Sequence, residues 1–152
     1  MINEVYGYSY RPDWHGDLDT LPEQDSPYFP EQRGAFFVLL NAEDDIIGTA
    51  GLRALSSRPD IVALTKGRFP NPDSVASHWR MYVDSRYRRM GLGRVLIDLR
   101  REAGTEMGYD SIYFHCDRTR ERLRRFWEGN GFSCFLEDEM SAHYAGPIRP
   151  VE

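Results

Sequence analysis

The segment that most constrains the fold is WRMYVDSRYRRMGLGRVLIDLRR, residues 79–101. It begins as a short strand, Trp79–Val83, passes through an arginine-rich turn and enters a helix predicted over Gly91–Met107. A helix start leaves its first amide N–H groups without intrahelical partners and concentrates partial positive charge, so it can hold a phosphate or pyrophosphate. Gly91 and Gly93 have no side chains to block that approach. The segment therefore predicts a site for a diphosphate-bearing cofactor.

Arginines surround the same turn. Arg88, Arg89 and Arg94 would add charge-assisted hydrogen bonds to phosphate oxygens. The plainer alternative is that the glycines serve a tight turn or close packing, and that the arginines form a solvated face. The segment lacks the G-x-x-x-x-G-K-[ST] of a nucleotide-phosphate loop and the three-glycine dinucleotide fingerprint, which argues against kinase-like and dehydrogenase-like functions.

Two motifs together resemble one family. Residues 88–93, RRMGLG, resemble the [QR]-x-x-G-x-[GA] signature of GNAT acetyltransferases, and residues 126–132, FWEGNGF, resemble that family's F-Y-x-x-x-G-F. The similarity extends loosely over residues 35–148. The resemblance implies an α/β GNAT fold, in which a mixed central sheet is flanked by helices in three layers and splayed strands hold acetyl-CoA. It also implies that the N-terminal part is short for the family.

The resemblance assigns a set of residues to the cofactor. They are Tyr82, Val83, Arg88, Arg89, Met90, Gly91, Leu92, Gly93, Arg94 and Arg120. The backbone of Tyr82 and Val83 would pair with the pantetheine arm, and the 88–94 turn would hold the pyrophosphate. Arg120 stands where the family has a cofactor-contacting Asn. The alternatives are an ordinary buried strand at Tyr82 and Val83 and a solvated helix face at Arg120.

The implied reaction is transfer of an acetyl group from acetyl-CoA to a primary amine, by direct attack without a covalent enzyme intermediate. The amine must lose a proton, and the departing thiolate is helped by a proton donor. The family's usual donor, a Tyr, is replaced here by Trp127, whose indole N–H is not a practical acid. His78 stands where many members place a base, and an imidazole suits that role at neutral pH, with a structural or surface residue as the alternative. Tyr144 and Tyr113 are candidate donors, with core packing as the alternative.

The acceptor has no recognisable signature in the sequence. It can be an amine-bearing small molecule or a protein, because the loops around residues 11–34 and 56–77 carry no motif. Two other functions stay open: an acyl-CoA-binding module with little turnover, and a structural interaction domain. His115 and His143 have no neighbouring ligand spacing, so no metal is predicted.

Composition and charge limit the partners and the cellular compartment that we expect. A net charge of −5 argues against nucleic-acid binding, although arginines concentrate between Arg80 and Arg125. No apolar run is long enough to span a membrane, and the N-terminus lacks the pattern of a secretory signal, so we expect a cytoplasmic protein. Cys116 and Cys134 are predicted to be reduced thiols.

The remaining pattern predicts a single domain, residues 1–152. The predicted elements are an antiparallel hairpin of residues 35–41 and 46–55, a loop at Ser56–Ser77 with one short element, a strand at Ser111–Cys116, a helix at Thr119–Asn130 capped by Gly129 or Gly131, and strands at Ser133–Glu137 and Ala142–Ile148. The first helix is expected to bury Leu92, Val95, Leu96, Leu99 and Ala103. The strand with which the family begins is either Val5–Tyr10 or absent. If it is absent, an open sheet edge makes a homodimer a reasonable hypothesis.

Overall fold

The structure is a computed structural model that describes residues 12–21 and 25–150. The strand predicted at Val5–Tyr10 lies outside the described residues. The homodimer that depends on it stays a prediction. No helix within the described ranges is long and apolar enough to cross a membrane.

The described residues contain six strands in one mixed sheet, in the order β1-β2-β3-β4-β6-β5. The strands are β1 Ala35–Leu40, β2 Ile46–Ala54, β3 Val75–Val83, β4 Ser111–Asp117, β5 Ser133–Glu137 and β6 Ser141–Pro147. The α-helices are α1 Pro12–His15, α2 Pro59–Leu64, α3 Leu92–Glu106 and α4 Glu121–Gly129, and short 3-10 helices span Gly16–Leu18, Pro30–Gln32, Leu55–Ser57, Pro72–Ser74 and Ser85–Tyr87. This confirms the predicted α/β class, with a mixed sheet and flanking helices.

The first of two compact units comprises the described residues up to Arg53 together with Trp79–Ala103. Its β1 and β2 pair antiparallel from Ala35↔Leu52 to Leu40↔Ile46, with an irregularity at Leu39/Leu40. This confirms the predicted hairpin. A largely apolar run on each side of the polar EDD turn is the local signal that made it predictable.

Helix α3 matches its predicted bounds to within one residue, and its buried face agrees with the predicted one only in part. Leu96 and Ile97 are fully buried, Arg100 and Arg101 follow one turn later on the same stripe, and Val95 is 44% exposed. The prediction counted apolar residues only. It was right at Leu96, but it was wrong at Val95 and omitted Ile97. It also missed the two arginines, because the long aliphatic part of an arginine can cover apolar surface as a leucine does.

The guanidinium of Arg100 is buried at an energetic cost. Its Nε donates to the Leu96 carbonyl at 3.2 Å and its Nη2 lies 2.9 Å from the sulfur of Met81. Its Nη1 has no hydrogen-bond partner among residues 12–21 and 25–150. Desolvation lowers the pKa of Arg100 to about 9.

We expect Arg100→Met to stabilise the protein by about 1–3 kcal/mol, because methionine fills a similar volume without a desolvated charge. The measurement is urea-induced unfolding, followed by circular dichroism. The matched control is Arg122→Met on an exposed helix position, which should change stability by less than about 0.5 kcal/mol. An Arg100→Met protein less stable than the parent would contradict the account.

The second unit comprises Ala54–His78 and the described residues from Gly104 onward. In it β3 pairs parallel with β4 from Val75↔Ser111 to Ser77↔Tyr113, and β4 pairs antiparallel with β6 along its whole length. Strand β5 pairs antiparallel with β6. The predicted strands at 111–116 and 133–137 are confirmed, and the last strand begins and ends one residue earlier than predicted.

The structure shows which of two glycines ends α4. Gly129 is the last helical residue, and Gly131 adopts a left-handed φ of 86° beyond it. Gly131 is thus the glycine that ends the helix, which is one of the two alternatives that the sequence left open. A left-handed residue just past a helix is the common C-terminal signal.

The predicted loop at Ser56–Ser77 contains the expected short element, but it ends earlier than predicted. Pro59 opens helix α2, because proline fits the first turn of a helix, and this helix covers part of the predicted short element. Strand β3 begins at Val75 rather than Trp79. Val75, Ala76, Ser77 and His78 are all buried, so this stretch has no polar–apolar alternation to mark it as a strand.

Candidate functional site

The turn after β3 is anchored in the first unit by a carboxylate. Asp84 Oδ1 accepts a hydrogen bond from the Arg86 amide at 2.9 Å, and Asp84 Oδ2 accepts one from the Arg86 guanidinium at 2.7 Å. The hydrogen bonds from Arg86 lower the pKa of Asp84 to about 2. The Asn41 side chain donates to the Tyr87 hydroxyl at 3.1 Å. These bonds fix the backbone that leads into α3.

Two left-handed residues shape the start of α3. Arg89 has φ 62° and Gly91 has φ 81°. A Cβ at Gly91 would meet no atom within 4 Å, so the backbone conformation, not a lack of space, is what favours glycine here. The Gly91 carbonyl accepts the bond from the Val95 amide at 3.2 Å. By helix geometry the three amides between them have no intrahelical carbonyl, so they can bind an anion.

Positively charged side chains lie around these amides. Arg88, Arg89 and Arg94 are all exposed, and Met90 is 67% exposed. Arg88 Nε donates to the Val83 carbonyl at 3.0 Å, which ties the turn to the end of β3. The structure thus brings the predicted cofactor residues 82–94 into one continuous strand, turn and helix start.

Arg120, the remaining predicted cofactor residue, belongs to the second unit. It is the residue preceding the first turn of α4, and its Nε lies 3.9 Å from a carboxylate oxygen of Asp117. Tyr82 is buried, at 7% exposure, which fits a backbone role better than a side-chain role.

Strand β3 carries an irregularity that the sequence did not indicate. Arg80 adopts a left-handed φ of 51°, and its carbonyl accepts a hydrogen bond from the Thr49 hydroxyl at 2.8 Å. A left-handed residue inside a strand interrupts the hydrogen bonds between strands and changes the direction of the side chains that follow. The Arg80 guanidinium holds Asp17 through two nitrogens, at 2.5 and 3.1 Å, and the Tyr28 hydroxyl donates to the same carboxylate at 2.6 Å.

Both predicted catalytic side chains, one from β3 and one from β6, pack against Phe114 on one face of β4. The His78 ring is 6% exposed and stacks 6.2 Å from the Phe114 ring. Tyr144 is fully buried and stacks on the same ring at 5.3 Å. Its hydroxyl donates to Glu128 at 3.1 Å and accepts from Arg124 Nε at 3.1 Å. Burial raises the pKa of Tyr144, so the phenol stays protonated at neutral pH.

Trp127 packs against the same phenylalanine. Its ring centroid lies 4.2 Å from that of Phe114, and the residue is 5% exposed. The indole Nε1 has no hydrogen-bond partner in the part of the chain that the structure describes. The residue that replaces the family's usual tyrosine is therefore a core residue here.

The opposite face of β4 and β6 carries a cluster that the sequence analysis missed. The Tyr113 hydroxyl lies 2.8 Å from His143 Nδ1 and 3.4 Å from His115 Nδ1. His143 Nε2 lies 2.8 Å from Asp138 Oδ2. The signal was the cross-strand pairing His115↔His143, which a single sequence does not reveal. No group of three or more potential ligands within the described ranges could hold a metal ion.

The thiols are free. Cys116 and Cys134 are both half-buried and form no disulfide. That they are reduced in the cell stays a prediction.

Comparison with solved structures shows the fold. An acetyltransferase of the GNAT family from Staphylococcus aureus Mu50 has a TM-score of 0.72 at 19% identity, over 97% of this chain and 87% of that chain. An acetyltransferase from Streptococcus agalactiae 2603 has a TM-score of 0.72 at 16% identity, over 96% and 84%. A candidate streptothricin acetyltransferase from Bacillus anthracis, solved in complex with acetyl coenzyme A, has a TM-score of 0.61 at 18% identity, over 79% and 65%.

Comparison with sequences shows the family. No curated protein matches the chain significantly. The model of the acetyltransferase (GNAT) family matches residues 4–132, which include both motifs and the turn that opens α3. The chain belongs to the GNAT family of acetyltransferases.

Proposed function

We propose that this chain transfers the acetyl group of acetyl-CoA to a primary amine of a small molecule or a protein, by direct attack and without a covalent enzyme intermediate. The observation that carries the proposal is the start of α3, where a left-handed Gly91, exposed arginines and amides without intrahelical acceptors lie together. This arrangement fits a pyrophosphate in charge and in hydrogen-bond donors. The acetyl-CoA bound to the Bacillus anthracis neighbour supports the same cofactor.

Residues of this chain would hold the cofactor along the first unit. The amides of Leu92, Gly93 and Arg94 would bind the pyrophosphate, and the backbone of Tyr82 and Val83 would pair with the pantetheine arm. Bound acetyl-CoA supplies the activated thioester. A strand amide near Val83 would stabilise the negative charge that develops on the thioester oxygen.

Two side chains are proposed to carry protons. Tyr144 would protonate the leaving thiolate, supported by a hydroxyl that stays protonated at neutral pH and by the Arg124 hydrogen bond, which would stabilise the phenolate. His78 would take the proton of the amine. Its ring lies among Phe114 and Phe132, an environment that also suits a purely structural histidine.

We expect Tyr144→Phe to lower kcat by about 100-fold, the lower end of the usual range for a general acid, while the Kd for acetyl-CoA stays unchanged. The loss of the hydroxyl should cost about 1 kcal/mol of stability. The measurements are amine-dependent thiol release and calorimetric titration. An unchanged kcat would remove Tyr144 from the reaction and leave it a packing residue.

The experiment that tests the function is thiol release from acetyl-CoA in the presence of spermidine, tyramine or a lysine-containing peptide, with the product identified by mass spectrometry. An acetylated amine supports the proposal. The net charge of −5 favours a cationic acceptor such as these. The cytoplasmic location and the single domain stay predictions.

A second candidate function is an acyl-CoA-binding module with little turnover. The observation that favours it is the buried Trp127 in place of the family's usual tyrosine. It predicts tight binding of acetyl-CoA and no thiol release with any of the three amines.

A further inference from the structure

Arg100 on α3 is a buried charge that the proposed function does not yet use. The residue is 0% exposed, and its Nη1 has no hydrogen-bond partner among residues 12–21 and 25–150. Within the described residues no carboxylate pairs with it, and the neighbouring Arg101 acts on it with a charge of the same sign. Desolvation lowers the pKa of Arg100 to about 9, so the guanidinium is still charged at neutral pH. The first unit therefore holds a positive charge in its interior without a counter-ion.

Two contacts fix where this charge lies. Arg100 Nε donates to the Leu96 carbonyl at 3.2 Å, which turns the side chain back toward the start of α3. Arg100 Nη2 lies 2.9 Å from the sulfur of Met81 on β3. The side chains of Met81 and Val83 point to the same face of the strand, and two residues of a strand span about 6.6 Å. The guanidinium is thus on the order of 8 Å from the backbone of Val83.

We propose that Arg100 stabilises the negative charge that develops on the thioester oxygen, because it holds an uncompensated positive charge behind the strand amide that would bind this oxygen. The inference rests on the proposed function. Arg100 would not touch the reacting atoms and acts through its electric field at β3. It is therefore a positioning residue and not a catalytic residue.

Arg100 exchanges no atom and no proton in this scheme. The amine nitrogen forms the C–N bond, and the electron pair of the carbonyl moves onto its oxygen. When this pair returns, the C–S bond breaks and its electrons leave on the sulfur. The protons move as proposed above, from the amine to His78 and from Tyr144 to the thiolate. The field of Arg100 acts most strongly while the oxygen carries charge, so it favours the transition state over the bound substrate.

The lack of a counter-ion makes this charge effective. A carboxylate beside the guanidinium would cancel most of its field at β3, and water would screen it. A unit charge about 8 Å away, at an effective dielectric constant of about 20, corresponds to about a 30-fold change in rate. The same charge costs stability, since Arg100→Met is expected to unfold less readily than the parent. The inference thus predicts a variant that is more stable and less active.

The first test needs no acceptor. Acetyl-CoA labelled with carbon-13 at the thioester carbonyl is bound to the protein, and the C=O stretch is recorded by infrared difference spectroscopy. A positive charge near the oxygen weakens the C=O bond, so the stretch should lie at higher frequency in Arg100→Met than in the parent. Arg122→Met, the same change at an exposed position of α4, should match the parent. Equal frequencies in Arg100→Met and the parent would overturn the inference.

Arg100→Gln separates the loss of charge from a change in packing. Glutamine is neutral as methionine is, but it keeps a hydrogen-bond donor near Met81. Because the field depends on charge, the C=O stretch should shift in the same direction and by a similar amount in both variants. A stretch at the parent frequency in Arg100→Gln would show that packing at Met81, and not the charge, sets the frequency, which overturns the inference.

The second test is kinetic, with the three amines named above. Arg100→Met and Arg100→Gln should each lower the single-turnover rate of acetyl transfer by about 30-fold. The Kd for acetyl-CoA should change by less than about 3-fold, because solvent screens the charges of an exposed pyrophosphate. Full activity of a folded Arg100→Met protein overturns this inference but leaves the acetyltransferase function standing. A parent that binds acetyl-CoA and acetylates no amine overturns both.

Discussion

Gly91→Glu is expected to abolish acetyl-CoA binding, weakening it by more than about 100-fold. A glutamate there would place a negative charge against the pyrophosphate at the start of α3 and would compete for the same amides. It would also have to adopt φ 81°, which costs a residue with a Cβ about 1–2 kcal/mol. Calorimetric titration with acetyl-CoA measures the loss.

The control for this variant separates binding from folding. Arg125→Glu makes a larger change of net charge on the exposed surface of α4, and we expect it to bind acetyl-CoA as the parent does. Thermal unfolding of Gly91→Glu should still be cooperative, because a Cβ at this position meets no neighbouring atom. A Gly91→Glu protein that binds acetyl-CoA normally would contradict the proposed site.

Asp17→Asn is expected to destabilise the protein by about 3–5 kcal/mol, because it leaves the Arg80 guanidinium buried without its carboxylate. The two side chains are only 13% and 14% exposed. The Tyr28 hydroxyl would also lose its charged acceptor. The expected fall in Tm is about 10 °C, measured by calorimetry at neutral pH.

The pH dependence of stability gives a second test of the contribution of the Asp17–Arg80 ion pair. Burial alone would raise the pKa of Asp17, but hydrogen bonds from Arg80 and Tyr28 outweigh burial and hold that pKa below 3.8. A lowered carboxyl pKa stabilises the fold above pH 3.8 and loses that contribution as the pH falls through the lowered value. The difference between parent and Asp17→Asn should therefore shrink in acid. The exposed Asp25→Asn should match the parent throughout, and equal stability of Asp17→Asn at neutral pH would contradict the account.

Local signals made the start of α3 predictable. The glycine spacing, the arginines and the apolar period of the helix all lie within residues 79–101, so the sequence alone placed them correctly. The hairpin of β1 and β2 and the end of α4 at Gly131 were predictable for the same reason. Each depends on residues that are neighbours in the chain.

The features that were missed depend on contacts between distant residues. The start of β3 lies in a stretch where every residue is buried, so polar and apolar residues do not alternate there. The left-handed conformation at Arg80 was not predictable, because the residue is not a glycine. The cluster of Tyr113, His115 and His143 depends on the register between β4 and β6, which one residue of slip would destroy. The sequence contained these side chains but not the pairing that brings them together.

The central claim is that acetyl-CoA binds at the start of α3, and amide NMR tests it most directly. Titration of nitrogen-15-labelled protein with acetyl-CoA should produce the largest shifts at the amides of Leu92, Gly93 and Arg94, with smaller shifts along Tyr82 and Val83. Amides on the exposed face of α4, such as that of Arg125, should not move. Binding that leaves the three α3 amides unshifted, or no binding at all, would contradict the account.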